Sequence, residues 1–533
     1  MCTSPKDERR EREPRLAVAA RATGEYPAPE PRAGGERSGS RRWIAVWRLG
    51  VLVAGLLAAC AVGPNFERPD VPAANHYEEG ADPTATVAAE GQSQRMERGA
   101  EVVGDWWTLF GSPSLDEVMK DAARDNQTLK AALASLRSSQ ANLRAGYGVF
   151  FPQADLDASA TRQRATPVKL GESGTPASVF NLFSLSGTIS YPLDLFGAER
   201  RGVESLQAQL DVQKYTVVAT YLTLTANVVD TVIAASAYAE EASATQDIIR
   251  EDREQVSITE AQATAGTVPY SSVLSLRSQL AATEALVPPL QQRVSQAEHL
   301  LATLAGHLPS ERPVLRVAFS DLKLPLAVPV SLPSTLVHQR PDILAAEAQL
   351  HQASAEIGVA TAALYPSITL SGSLGSNNTT LGSLTSSNGT FWSLGAGFTA
   401  PLFHGGTLWS KRQAAAEAYD QALANYRQTV LSAFAQVADT LRALEHDAEA
   451  LDAEARSMSA ADEALRLIRA NYEAGTSNYL QVIVATDQYH QTRIAYLQAR
   501  AQRLQDTVAL FVALGGGWWN SAGSLVADVP PSP

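Results

Sequence analysis

Two cysteines and eight histidines are the side chains best suited to nucleophilic, redox or metal chemistry in this chain of 533 residues. Their placement supports none of the three within the body of the sequence. Cys2 and Cys60 both lie ahead of that body, leaving no disulfide framework, Cys-based zinc site or catalytic thiol inside it. The histidines are scattered, and H-E-x-x-H, G-x-x-x-x-G-K-[ST], G-x-G-x-x-G and G-x-S-x-G are all missing from the sequence. The expectation is a protein that is not an enzyme, with no catalytic residue, no cofactor and no metal ligands. The formal net charge is −13, and the first 60 residues are net positive, so the remainder is more acidic still. That sign argues against nucleic acid as a partner, which requires a basic footprint.

Cys60 has a specific chemistry by position. Arg41-Arg42 precede an apolar run from Trp43 to Ala59, interrupted by Arg48 and ending Leu57-Ala58-Ala59-Cys60. A basic region, a short apolar core and small residues describe a secretory signal. The alternative is a true anchor helix, for which the run is short. Leu-Ala-Ala-Cys also looks like a bacterial lipobox, in which the cysteine is acylated and becomes the mature N-terminus. Cys60 would then be a lipid tether, and two or more acyl chains are needed for stable anchoring. Ala61 stands where an Asp usually marks inner-membrane retention in such lipoproteins, which points to the outer membrane. Residues 1–59 are thus expected to be a disordered n-region and lipoprotein signal peptide, and 60–104 a polar, lipid-anchored extended strap. Trp106-Trp107 with Leu109-Phe110 read as core packing ahead of the first helix.

The elements that follow come twice. Tyr191-Pro192-Leu193 and Ala400-Pro401-Leu402 each open a long helical tract, 209 positions apart. Ala265-Gly266-Thr267 and Ala474-Gly475-Thr476 break those tracts at the same spacing of 209. Phe151-Pro152 and Tyr365-Pro366 are a further matched pair. Such register predicts a tandem repeat of a half-structure, 105–320 and 321–520, followed by a flexible tail at 521–533. Each half is expected to contain a helix, a β-hairpin and a long helical pair. The first helix is expected over Leu115–Tyr147 and its counterpart from Arg340-Pro341-Asp342 to Pro366.

The hairpins are expected at 153–192 and 367–403. In Ser367–Leu374 and Ser184–Tyr191, apolar or glycine positions alternate with hydroxyl positions. This alternation suits a transmembrane barrel with a wet lumen, and equally a soluble half-buried sheet. Four strands cannot close a barrel, so a membrane reading requires strands shared between subunits, twelve from three chains. Beyond the hairpins, Val437, Leu441, Leu444, Ala448, Leu451, Ala455 and Met458 step by fours and threes, a coiled-coil seam. A tract from Gly406 to about Tyr472, matched by Ala198 to about Ala265, would reach roughly 100 Å. After each glycine a return helix of about 40 residues is expected.

These residues resemble the outer-membrane efflux proteins, the TolC/OprM-like factors, and within them the NodT-type lipoproteins. The resemblance runs over about 60–520 and rests on Val62-Gly63-Pro64-Asn65-Phe66, Trp106-Trp107-Thr108-Leu109-Phe110, Arg340-Pro341-Asp342-Ile343, Tyr365-Pro366-Ser367-Ile368, Pro401-Leu402-Phe403 with Gly405-Gly406, and Asn471-Tyr472-x-x-Gly475. It implies a mixed α/β membrane protein. A homotrimer would share a twelve-stranded β-barrel in the outer membrane above a coiled-coil helical tunnel in the periplasm. It implies docking on a periplasmic adaptor and an inner-membrane RND pump, with no reaction catalysed. The cargo would be small toxic compounds; an outer-membrane component of type I protein secretion is the alternative. The family closes its tunnel at the periplasmic tip, where Tyr472 matches the tip tyrosine and Leu480 a constricting leucine. Val484 and Asp487 stand where the family often carries Asp and Arg, which makes the gate formed by Leu480 and Val484 more apolar. Both residues could instead sit in the coiled-coil seam. The turns at Gly266-Thr267 and Gly475-Thr476 lie at the free ends of the helical pairs and are the expected adaptor contacts.

Overall fold

The computed structural model describes residues 61–70, 74–80, 82–165, 177–311 and 317–520. Cys60, the signal region before it and the tail at 521–533 lie outside them.

Nine α-helices and six strands are described. The helices are α1 (Pro113–Asp125), α2 (Gln127–Tyr147), α3 (Ala198–Thr264), α4 (Tyr270–Glu284), α5 (Val287–Leu304), α6 (Pro333–Gln339), α7 (Pro341–Ala362), α8 (Thr407–Glu473) and α9 (Tyr479–Ala513). The strands are β1 (Arg95–Arg98), β2 (Gln153–Ala165), β3 (Ser178–Leu193), β4 (Ala327–Val330), β5 (Ser367–Asn378) and β6 (Thr390–Thr399).

The two long helices, α3 and α8, have 67 residues each, about 100 Å of rise. Each begins behind a left-handed glycine, Gly197 at φ 82° and Gly406 at φ 84°. Each ends before another, Gly266 at φ 74° and Gly475 at φ 75°. The Thr267 N–H donates back to Gln262 O at 2.9 Å and the Thr476 N–H to Asn471 O at 2.8 Å. These bonds satisfy carbonyls that a helix end otherwise orphans, and only glycine enters the αL position without strain. On α8 the buried positions Tyr426, Val430, Ala433, Val437, Leu441, Leu444, Ala448 and Leu451 step by four and three, which is the seam against α9 and α7.

The centre of α3 is buried on several sides at once, from Val217 and Leu224 to Val228, Val229, Val232 and Ile233. The helices α2, α5, α7 and α9 all pack on it. One stretch of α3 is long and apolar enough to cross a membrane by composition, but a helix apolar all round is equally a core helix, and its neighbours make it one here.

Three elements depart from expectation. The first helix is two: Asn126 has ψ 125°, and its Oδ1 accepts from the Leu129 N–H at 2.9 Å, ending α1 and capping α2. The return leg of the first half is also two helices, α4 and α5. Pro288-Pro289 sit in the first turn of α5, and proline rings have no N–H to give to the carbonyls of the preceding turn. The second return leg, α9, is a single helix of 35 residues. Finally, the strap contributes a strand of its own, β1, which pairs in parallel with β4.

Arg340 explains the Arg-Pro-Asp-Ile sequence. It is buried, and its guanidinium donates to Asp342 at 2.6 and 3.0 Å, to Gln436 Oε1 at 2.8 Å and to Ala513 O at 2.8 Å. One side chain thereby ties the start of α7 to α8 and to the C-terminal end of α9, where a cation is favoured. Trp106 is buried and stacks on Phe511 at 5.5 Å, and Trp107 meets Tyr221 edge-on at 6.4 Å.

Candidate functional site

The four long strands make one antiparallel sheet in the order β2-β3-β5-β6. The register decides which residues share a face. Leu156 pairs with Gly187, Gly187 with Leu374, and Leu374 with Trp392. Side chains opposite one another lie on one face and alternate positions along a strand follow them. One face therefore carries Leu156, Leu185, Ile189, Tyr191, Ile368, Leu370, Leu374, Trp392, Leu394 and Phe398. The other carries Asp155, Asp157, Ser184, Ser186, Thr188, Ser190, Thr369, Ser371, Ser373 and Ser393. The apolar face is uncovered in the protomer: Leu394 is 80% exposed, Leu156 76% and Trp392 72%. A soluble half-buried sheet would have its apolar face against the core. Below the sheet, at the entry to α8, Leu402, Phe403 and Trp409 are exposed as well. Among the described residues nothing pairs with the outer edges of β2 and β6.

The chain enters the described structure at the junction between sheet and helix. The Val62 N–H donates to Phe196 O at 3.0 Å. Gly63, at φ 96°, lies so close to Gly358 that a Cβ would come within 2.5 Å of the Gly358 Cα. Asn65 Oδ1 accepts from Arg201 at 2.7 Å, Phe66 stacks on His351 at 4.4 Å, and Arg68 pairs with Glu347 at 2.7 Å. The Val-Gly-Pro-Asn-Phe segment thus pins Val62, two positions after Cys60, to the base of the sheet.

At the far ends of α3 and α8, Tyr472 and Tyr479 meet edge to face at 5.2 Å, and the Tyr472 hydroxyl donates to Gln262 Oε1 at 3.3 Å. Arg469 pairs with Glu251 at 2.6 Å, joining α8 to α3. Burial raises the Tyr479 hydroxyl well above its usual range, with Asp252 adding to it. Leu480 and Val484 are 64% and 62% exposed, whereas Val482, Ala485 and Thr486 face inward. Within the protomer the two residues therefore stand outside the seam. The start of α9 is fixed by a capping box missed from sequence: Asn478 Oδ1 accepts from the Gln481 N–H at 3.1 Å and Gln481 Oε1 accepts from the Asn478 N–H at 3.3 Å. Gly266, Thr267, Gly475 and Thr476 are exposed at the turns beside these residues.

Sequence reasoning also missed three carboxyls from three helices: Asp230 on α3, Asp447 on α8 and Asp506 on α9. Burial, then Asp506, pushes Asp230 up to about 7. Burial raises Asp447 as well, followed by its hydrogen bond with Asp506. Arg503 beside them is buried and donates to Gln94 Oε1 at 3.2 Å and to Thr86 Oγ1 at 3.2 Å, so the group also holds the strap. No spacing rule brings these residues together. Among the described residues no group of three or more His, Cys, Asp or Glu could hold a metal ion.

An uncovered apolar sheet face continuous with very long paired helices defines a membrane-embedded protein with a large helical extension. The family model described as outer membrane efflux protein matches residues 118–307 and 332–516, more than half of the sequence. The chain belongs to the outer membrane efflux protein family, a family of channel proteins of the Gram-negative outer membrane that extend into the periplasm. The pyoverdine export outer membrane protein OpmQ of Pseudomonas putida is 30% identical over 416 residues, spanning 78% of this chain and 88% of that one. Nodulation protein T of Rhizobium leguminosarum bv. viciae is 29% identical over 471 residues, spanning 87% and 92%. Among solved structures, the outer-membrane channel OprN matches with a TM-score of 0.76 at 28% identity, covering 86% of this chain and all of that one.

Proposed function

We propose that this chain is the exit duct of a tripartite efflux pump of the RND type. The observation that carries the reading is the sheet: between the rows of Leu193 and Phe183 one face is mainly apolar and uncovered while the other is Ser- and Thr-rich. Water penalises exposed apolar surface by about 25 cal/mol per Å², and open strand edges are not tolerated in lipid. Three copies close the edges of β2 and β6 against one another, giving twelve strands with a hydrophilic lumen. The matched landmarks 209 positions apart support a tandem repeat in which each half lends two strands to the wall and one long helical pair to the tunnel.

The tip is the gate. Tyr472 and the Tyr479 ring beside it brace α8 against α9, and the exposed Leu480 and Val484 close the lumen where three copies converge. The turns at Gly266-Thr267 and Gly475-Thr476 meet the periplasmic adaptor, and the inner-membrane pump supplies the energy. Acylated Cys60 anchors the chain, a role supported by the pinning of Val62 beside the base of the sheet. A relative named for pyoverdine export favours small-molecule cargo over protein secretion.

Planar-bilayer recording tests the duct. Purified protein should run as a trimer and conduct, and a non-conducting monomer overturns the reading. A deletion strain should become sensitive across an inhibitor panel with an unchanged secretome; the reverse pattern assigns the chain to protein secretion. Cys60→Ser should abolish labelling by a palmitate analogue, and persistent labelling removes the lipid anchor.

A further inference from the structure

The apolar face of the sheet changes character at one level. On the β2–β3 hairpin, paired residues of that face run Ala154 with Ile189, Leu156 with Gly187, Ala158 with Leu185 and Ala160 with Phe183. The next two pairs are Arg162 with Asn181 and Arg164 with Val179. Both arginines share the face of Leu156 and Leu185: they stand six and eight positions from Leu156 on β2, and their partners Asn181 and Val179 stand four and six positions from Leu185 on β3. Both are exposed. Neither forms an ion pair among the described residues, and the carboxylates of the same strand, Asp155 and Asp157, lie on the opposite face.

The height of the step fits a membrane boundary. From the row of Leu193, Ile368 and Phe398 to the row of Phe183 the strand advances ten residues, about 33 Å at 3.3 Å each. A strand tilted by about 40° lowers that to roughly 25 Å, the height of the apolar band of an outer-membrane barrel. Arg162 and Arg164 lie just beyond, on the side away from the long helices.

Resting on the barrel reading above, we infer that Arg162 and Arg164 bind the phosphate groups of lipopolysaccharide in the outer leaflet. A guanidinium presents paired N–H donors that match phosphate oxygens, and such charge-assisted bonds are strong. Phe183, Leu185 and Val179 flank the arginines on the same face and offer apolar surface to the acyl chains of the same molecule. The ligand is thus read in two parts, phosphate at the arginine rows and hydrocarbon at the rows below. At the level of Phe183 the second hairpin offers Asn378 and no cation, which assigns one such site to each protomer.

The test compares wild type with the R162S/R164S double variant and the conservative R162K/R164K variant. Full-length trimers are purified and their bound lipopolysaccharide is measured, and melting is followed with added lipopolysaccharide, phosphatidylglycerol or inorganic phosphate. The serine variant should retain about ten-fold less lipopolysaccharide, the equivalent of one lost charge-assisted contact. The lysine variant should keep part of it. Wild type should gain melting temperature from lipopolysaccharide alone, with single-channel conductance unchanged in all three proteins. Equal retention by the serine variant, or equal stabilisation by phosphatidylglycerol or phosphate, overturns the proposal while leaving the duct intact. A wild-type chain that forms no conducting trimer overturns the duct reading and this proposal with it.

Discussion

The two 67-residue helices α3 and α8 have the same length and the same glycine stops, yet 27 residues of α3 are buried against ten of α8. The difference lies in their neighbours. α3 is enclosed by α2, α5, α7 and α9, whereas α8 is seamed mainly to α9 and α7 and shows its remaining sides to solvent. Leu431 and Leu467 lie on those open sides, 65% and 59% exposed. One long helix is enclosed within the protomer and the other is left open along its length; in the proposed duct the first would be the frame and the second the side that meets a neighbouring subunit. The tips repeat the contrast: Gly475 leads to Tyr479-Leu480, while Gly266 leads to Tyr270-Ser271.

The strongest way to break this comparison is a charge placed on each helix. Val229→Asp in α3 buries an unpaired carboxylate and should cost more than about 4 kcal/mol, enough to abolish folding as read by circular dichroism. Leu431→Asp in α8 should leave helicity intact and abolish the trimer on size exclusion. Equal damage from both would show that α8 is as enclosed as α3. At the tips, Leu480→Ser should raise single-channel conductance several-fold while Ser271→Leu leaves it unchanged. An unchanged conductance in the first removes Leu480 from the gate.

A smaller effect concerns the carboxyls that join the two helices. Asp230 and Asp447 are raised in the folded state by burial. A raised carboxyl favours folding below the ordinary carboxylate range, and the contribution is lost as pH climbs through the folded value, about 7 for Asp230. Melting temperature should therefore fall as pH climbs from about 4 to about 8, and Asp230→Asn with Asp447→Asn should flatten that slope. The smallest effect sharpens what the two copies share. Gly266→Ala and Gly475→Ala force the same positive φ on an L-residue, and each should cost about 1 kcal/mol. Unequal costs in denaturant unfolding would show that the two stops are not equivalent.

Much of this was legible because it depends on local rules. The glycine stops, the heptad steps and the alternation of Ser184–Tyr191 each follow from backbone chemistry within a few residues. The breaks at Asn126 and Pro288-Pro289 follow from the same rules, but the helical periodicity running through them concealed both. Arg503 with Asp447 and Asp506, and Arg340 with Ala513 O, were not legible. Their partners lie far away in sequence, and no periodicity encodes a meeting between helices.

By itself the sequence determined two long helices with defined ends and strands with one apolar and one hydroxyl side, because composition and period act through neighbours along the backbone. Tertiary structure alone decided that β3 joins β5 into one sheet, that its apolar face is left uncovered with Arg162 and Arg164 at its upper limit, and that α3 is enclosed while α8 is open. Those outcomes depend on register and on the packing of distant elements, where a side chain's environment is set by residues hundreds of positions away.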